Sequence, residues 1–254
     1  MTNTEYPTAP RKTEKEILSE KSIEAIIPYI KRIGENIKRI VDLIGLWITL
    51  KNNEEFSSKT AIDEILRASV VFTHAALEDF LRTLAAKLYP EANEQTLNQI
   101  PLMSLDQPSG RAEKFSLGRL AQFKNKTVEE VITDSVLQYL EHSNFNTMRD
   151  VTTLLERLDL DISNTNSSFP KLEELMKRRH LIVHRADRAE PIGSDEQNVL
   201  EIEGSDVLEW LAAVLQFVED VLPNAAKRHL LIQGYIKEEN NTLKLIIPKL
   251  GLAK

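Results

Sequence analysis

The amino-acid sequence predicts an all-α protein, organised as an up-and-down helical bundle. Three observations lead there. Apolar residues recur three, four or seven positions apart over long stretches, the spacing of one helical face. The one strand-like stretch, Leu243–Ile247, is confined to the tail. The periodic stretches are opened and closed by residues that cap or break helices.

Taken in chain order, residues 1–13 are polar and carry Pro7 and Pro10, which reads as a flexible N-terminal arm. Glu14–Leu50 reads as helix, with an interruption expected near Pro28 or Gly34. In Thr60–Tyr89 an apolar stripe runs through Ile62, Leu66, Thr73, Leu77, Phe80, Leu84 and Leu88. Thr60 with Asp63 supplies a capping start and Pro90 an end. Thr127-Val-Glu-Glu130 is a capping box for a helix reaching about Ser143, and Asn146 opens a shorter one to about Leu158.

The polar run Ser163–Ser168 is a connector. Pro170 then occupies the first turn of a helix carrying Leu172, Leu175, Met176 and Ile182. Ala189–Gly204 reads as loop and Asp206–Val221 as an amphipathic helix stopped by Pro223. The tail is ambiguous: Leu243–Ile247 resembles a strand after a turn at Lys237–Thr242, and Arg228–Ile236 is either its partner or helix. The expected domain layout is an arm (1–13), a bundle (14–222, with its core about 60–222) and a C-terminal appendage (223–254), a small β-hairpin or extended segment. Trp47 and Trp210 lie on apolar stripes and read as core or interface.

Composition removes several function classes. The absence of cysteine excludes disulfides, thiolate metal sites and a thiol nucleophile. No glycine-rich phosphate loop can be assembled. No apolar run is long enough to span a membrane and no signal peptide is recognisable, so a cytoplasmic protein without membrane contact is expected.

The net charge is −7, yet it is unevenly spread. Lys177–Arg188 holds five basic residues against one acid, a local +4, which leaves −11 for the rest of the chain. A basic patch on an acidic body concentrates its field at one place and attracts an anion there. The patch also suits the negative end of a helix dipole, so a solvated helix terminus is the simpler account. It contains two of the five histidines, His180 and His184, one helical turn apart. Arg179 and His184 are five apart, about 140° around an ideal helix. They converge only if the helix ends or deforms between them, or if a second chain supplies the complementary copy.

An HxxxH pair also suits zinc, but the metalloprotease form requires Glu after the first His, and Leu181 is there instead. Arg178, Arg179 and Arg185 would repel a cation, so no metal and no cofactor is expected.

The stretch Arg179-His-Leu-Ile-Val-His184, followed by Arg185, resembles the R-x4-6-H motif of the HEPN (higher eukaryotes and prokaryotes nucleotide-binding) superfamily. Thr73-His-Ala-Ala-Leu-Glu-Asp-Phe-Leu-Arg82 resembles the long upstream helix of its prokaryotic branches, with an acidic position, here Glu78, after "AL". The resemblance spans about 60–222. It implies a helical bundle that forms a homodimer around the motif. Active members are metal-independent endoribonucleases of toxin–antitoxin, abortive-infection and other antiviral defence systems. Others bind RNA, a nucleotide or a protein partner without catalysis.

The residue chemistry suits the active form. Metal-free RNA cleavage needs a proton removed from the 2′-OH, a proton given to the leaving 5′-oxygen and positive charge on the phosphorane. Imidazoles do the first two near neutral pH, and a guanidinium does the third. On this expectation His184 is the general base or acid and Arg179 the phosphate clamp. His180 contacts RNA or orients His184, Arg178 and Arg185 attract the backbone, and Glu78 holds His184 or Arg179 in place. An antitoxin or defence-system partner is implied by the resemblance alone. A non-catalytic binding module and a ligand-free helical scaffold remain the alternatives.

Overall fold

Helix α1 (Glu14–Lys51) starts at Thr13, whose N–H reaches Glu16 Oε2 at 2.6 Å while its hydroxyl accepts the Glu16 N–H at 3.3 Å. This computed structural model describes residues 13–55, 58–102, 117–161, 163, 165–189, 193, 198–239 and 242–245. The expected arm lies outside them except for Thr13. The break expected at Pro28 or Gly34 is absent, and α1 runs through both. Pro28 and Glu24 are exposed, so water can serve the carbonyl that the proline leaves unpaired. Partly buried Ile26 just before the proline and buried Tyr29, Ile33, Ile40 and Ile44 after it pack against the core and hold the helix in register.

Helix α2 (Lys59–Leu88) is capped by Ser58, whose Oγ accepts the Ala61 N–H at 3.4 Å, just upstream of the expected Thr60 start. Pro90 falls in the 3-10 turn Tyr89–Glu91 that closes it. Contacts between α1 and α2 run in opposite directions along the two helices. Arg39 sits over the Phe72 ring, Arg32 grips Asp79 through two hydrogen bonds of 2.6 and 2.7 Å, and Tyr29 meets Phe80 edge-on at 6.4 Å. The pair is therefore an antiparallel hairpin.

A single turn, α3 (Glu94–Leu97), and a 3-10 segment (Leu117–Phe123) precede α4 (Val128–Glu141). The capping box of α4 forms as the sequence predicts, with Thr127 N–H to Glu130 Oε2 at 2.7 Å and the return bond at 3.2 Å. Helix α5 (Met148–Arg157) has its own box between Thr147 and Asp150. Helix α6 (Phe169–Arg185) places Pro170 in its first turn and buries Leu172, Leu175 and Met176.

Helix α7 (Gly204–Ile232) is longer than its sequence suggests, because Pro223 does not stop it. The proline faces solvent, and beyond it Ala225, Ala226 and Leu230 are buried, so packing outweighs one lost hydrogen bond. Strands β1 (Ile236–Glu239) and β2 (Thr242–Leu245) form an antiparallel hairpin with Ile236 opposite Leu245 and Glu239 opposite Thr242. The reversal is thus tighter than the expected Lys237–Thr242 turn.

The bundle assembles around α2, which packs against α1, α4, α6 and α7. Leu66, Val70, Leu77, Leu81 and Leu84 are fully buried on it. Phe80 meets Phe217 of α7 edge-on at 6.4 Å. Among the described residues no helix is long and apolar enough to cross a membrane.

The start of α7 is fitted against α1 closely enough to demand glycine. A Cβ on Gly204 would lie 2.5 Å from Cη2 of the Trp47 ring, whereas one on Gly45 would meet nothing within 4 Å. Gly204→Ala should cost about 1–3 kcal/mol through overpacking, and Gly45→Ala should add about 0.5–1 kcal/mol through helix propensity. Chemical denaturation of the two variants checks both signs.

Candidate active site at the end of helix α6

Apolar Leu172, Leu175 and Met176 fix one side of α6 in the core, which turns the basic residues of its last two turns toward α2, α5 and solvent. The helix stays regular through the whole motif to Arg185. The chain then reverses through Ala186 (φ 49°) and Asp187 (φ 59°), both left-handed, and the Asp187 N–H closes the turn on the Leu181 carbonyl at 2.9 Å. Asp tolerates that conformation better than most residues, while Ala186 is held there by its surroundings.

This reversal drives the Asp187 carboxylate beneath the helix, where its side chain is 1% exposed. Oδ2 accepts from Arg67 Nε of α2 at 2.7 Å and from Arg178 Nη2 of α6 at 2.8 Å. The same guanidiniums bind the segment leading into α7: Arg67 donates to the Leu200 carbonyl at 2.6 Å and Arg178 to the Glu201 carbonyl at 2.8 Å. The Leu200 N–H returns a bond to the Asp187 carbonyl at 2.9 Å. One carboxylate thereby ties α2, α6 and the approach to α7. Sequence reasoning missed Arg67 and gave Asp187 no role. The available signal was an arginine on the buried register of α2, beside Leu66 and Val70.

Arg178 was expected to attract the RNA backbone. Its contacts instead go to Asp187 and the 200–201 carbonyls, with its side chain 16% exposed. Arg179, half-buried, makes no hydrogen bond or ion pair among the described residues, and its Nε is buried without a partner. His180 and His184 are both exposed, with ring centroids 4.9 Å apart. Arg185 is half-buried. Because α6 does not deform between Arg179 and His184, the two remain on different faces of one helix.

Glu78 belongs to a neighbouring cluster on α2. Its Oε1 accepts the Phe145 N–H at 3.2 Å and lies 3.7 Å from Arg82, which donates to the Ser143 carbonyl at 2.8 Å. Its contacts among the described residues thus hold the turn before α5 rather than reaching His184 or Arg179. His74 Nδ1 lies 3.9 Å from Glu78 Oε2, and its Nε2 is buried with no partner. Burial pushes the His74 imidazole below its ordinary range; the Glu78 carboxylate opposes this, and the nearby Arg179 and Arg82 guanidiniums reinforce it.

A groove of about 700 Å3 opens between the start of α5 and α6, lined by Asn146, Met148, Arg149, Met176, Lys177, Arg179 and His180, among others. It contains the cation of the motif but not His184. Among the described residues no group of three or more His, Asp or Glu side chains is placed to hold a metal ion.

A bundle whose helix α6 ends in an Arg179–His184 motif, packed against a long upstream helix, defines a HEPN-class protein. The family model RiboL-PSP-HEPN matches residues 31–222, and the chain belongs to that family. Membership associates it with nuclease and RNA-related modules. The chain matches no curated protein and no solved structure.

Two outcomes follow from these geometries. Asp187→Ala removes the buried counter-charge that Arg67 and Arg178 share, leaving Arg67 only the exposed Glu64 at 3.3 Å, and should cost about 3–5 kcal/mol in chemical denaturation. The depressed His74 pKa means that the unfolded imidazole binds protons more readily than the folded one. Its contribution to stability is whole above pH 6.5 and is lost as pH falls through that value toward the lower folded pKa. His229, also lowered by burial, acts with the same sign. His74→Gln should therefore flatten the fall of unfolding free energy between about pH 7 and pH 5; an unchanged slope would assign that limb to other groups.

Proposed function

We propose that the chain is a metal-independent endoribonuclease working as a homodimer, with Arg179 and His184 as the catalytic residues. The observation that carries this reading is the contrast within the motif. Arg178 is spent on the buried Asp187, whereas Arg179, its neighbour, keeps its charge unpaired beside an open groove, and two imidazoles are exposed on the following turn. A fold that needed these residues only for stability would pair them.

In the reaction, an imidazole takes the proton of the ribose 2′-OH as that oxygen attacks phosphorus. The Arg179 guanidinium balances the negative charge of the phosphorane. A second imidazole, protonated, delivers its proton to the departing 5′-oxygen. The products are a 2′,3′-cyclic phosphate and a free 5′-OH, so atoms and charge balance without metal or cofactor.

The regular α6 leaves Arg179 about 140° from His184 on one chain. A twofold arrangement of two copies supplies both imidazoles and both guanidiniums to one cleft. His180, its ring tilted 45° against that of His184, would orient it or contact RNA. Arg185 adds attraction for the phosphate backbone. Glu78 acts at a distance, by fixing the Ser143–Phe145 turn and the His74 environment beside Arg179. The resemblance to defence-associated HEPN nucleases supports a role as a toxin or antiphage effector, acting in the cytoplasm and restrained by a cognate partner.

Incubation with tRNA or total RNA in EDTA tests the chemistry. Wild type should cleave, and Arg179→Ala and His184→Ala should each lose about 10²–10⁴-fold in rate. Equal persistence of RNA with all three proteins sinks the nuclease reading in favour of a non-catalytic module. Light scattering should return a dimer at micromolar concentration, and a strict monomer removes the two-imidazole scheme.

A further inference from the structure

The groove between α5 and α6 is not a uniform cationic channel. Its floor is apolar: Met176, 4% exposed, and half-buried Met148 and Leu181 line it from opposite sides. The rim is charged or polar, with Arg149 and Asn146 on the α5 side and Lys177, Arg179 and His180 on the α6 side. One carboxylate, Glu173, also lines it, and that group is paired with Lys177 at 2.8 Å. The rim therefore keeps the charges of Arg149 and Arg179 uncompensated by Glu173.

An apolar floor of this kind is wasted on a sugar–phosphate backbone alone. It suits the face of a flat, weakly polar ring, and thioethers make favourable contacts with such rings. The groove, at about 700 Å3, also has the volume for one nucleotide with its phosphate left at the rim. A base held in a duplex has both faces stacked and cannot enter, whereas an unpaired base can be splayed out and buried.

Resting on the ribonuclease reading above, we propose that this groove is a subsite for one unpaired nucleotide of a single-stranded RNA. The base lies against Met148 and Met176, the Asn146 amide is at hand for its polar edge, and Arg149 attracts the adjoining phosphate. Because Arg179 belongs both to the groove wall and to the motif, a nucleotide seated there sets which neighbouring phosphate reaches the cleft. Substrate choice then follows from strand state: loops, bulges and ends are admitted and helical stems are refused. Among the described residues no Phe, Tyr or Trp lines the groove, so the preference is for an unpaired base over a paired one, with mild discrimination among bases.

The test uses the full chain with His184→Ala, which binds but does not cut, and a short fluorescent RNA offered single-stranded or annealed to its complement. Fluorescence anisotropy should show the single strand bound about tenfold or more tightly than the duplex, whose bases are stacked on both faces and cannot enter the groove. Met148→Asp, a change at a half-exposed position that introduces a charge on the floor, should erase that difference. Arg149→Ala should lower affinity for the single strand and reduce its salt dependence. Equal affinity for the two RNAs, or a preference untouched by Met148→Asp, overturns the subsite. The ribonuclease reading fails separately, by the absence of cleavage by wild type in EDTA. If wild type and Met148→Asp cut loops and stems with the same pattern, the nuclease stands and the groove proposal falls.

Discussion

A carboxylate taken out of water has to be met by positive charge, and the arrangement of this bundle depends on how Asp187 meets that requirement. Its side chain is almost wholly buried at the reversal after α6, where Arg67 and Arg178 converge on one oxygen. The two guanidiniums then have donors left for the carbonyls of Leu200 and Glu201. A single buried charge thus fixes the end of α6, its distance from α2 and the direction from which α7 is approached. Ala186, in a left-handed conformation that alanine rarely adopts, sits at the pivot of this arrangement.

The same pairing sorts the basic residues of the motif. Adjacent arginines on a helix point about 100° apart, so only one of Arg178 and Arg179 can face Asp187. Arg178 is drawn inward and neutralised. Arg179 is left beside the groove, near the imidazole of His74, whose burial disfavours a second positive charge. Local positive charge therefore collects on Arg179 and Arg149, beside the exposed histidine turn, on a chain that is otherwise acidic. In the proposed ribonuclease, such a body turns a polyanion away from most of its surface and admits it at one place. On the reading proposed above, the regularity of α6 has a second effect. By keeping Arg179 and His184 apart on one helix, it makes the complete constellation a property of two chains.

Much of the architecture was legible because it depends on local rules. The capping box at Thr127, Pro170 in the first turn of α6 and the stripe through Leu66, Leu77, Phe80 and Leu84 each reflect hydrogen bonds or spacing within a few residues. The errors share a cause as well. Pro28 and Pro223 look like breaks because the local cost of proline is visible in sequence, whereas the neighbouring side chains packed into the core that repay it are not. The motif itself was legible from Arg179, His180 and His184, but the division of labour between Arg178 and Arg179 was not, since it is settled by Asp187 and by an arginine far upstream.

The sequence by itself determined the helical class, most helix starts, the charge asymmetry and the identity of the motif, because periodicity, caps and residue chemistry act over short distances along the chain. Tertiary structure alone decided that Arg67 answers Asp187 across 120 positions, that Glu78 holds the turn before α5, and that Met148 and Met176 floor a groove beside Arg179. Those outcomes depend on which helix faces meet. Each face is readable on its own, but their pairing is set by the packing of the whole bundle around α2.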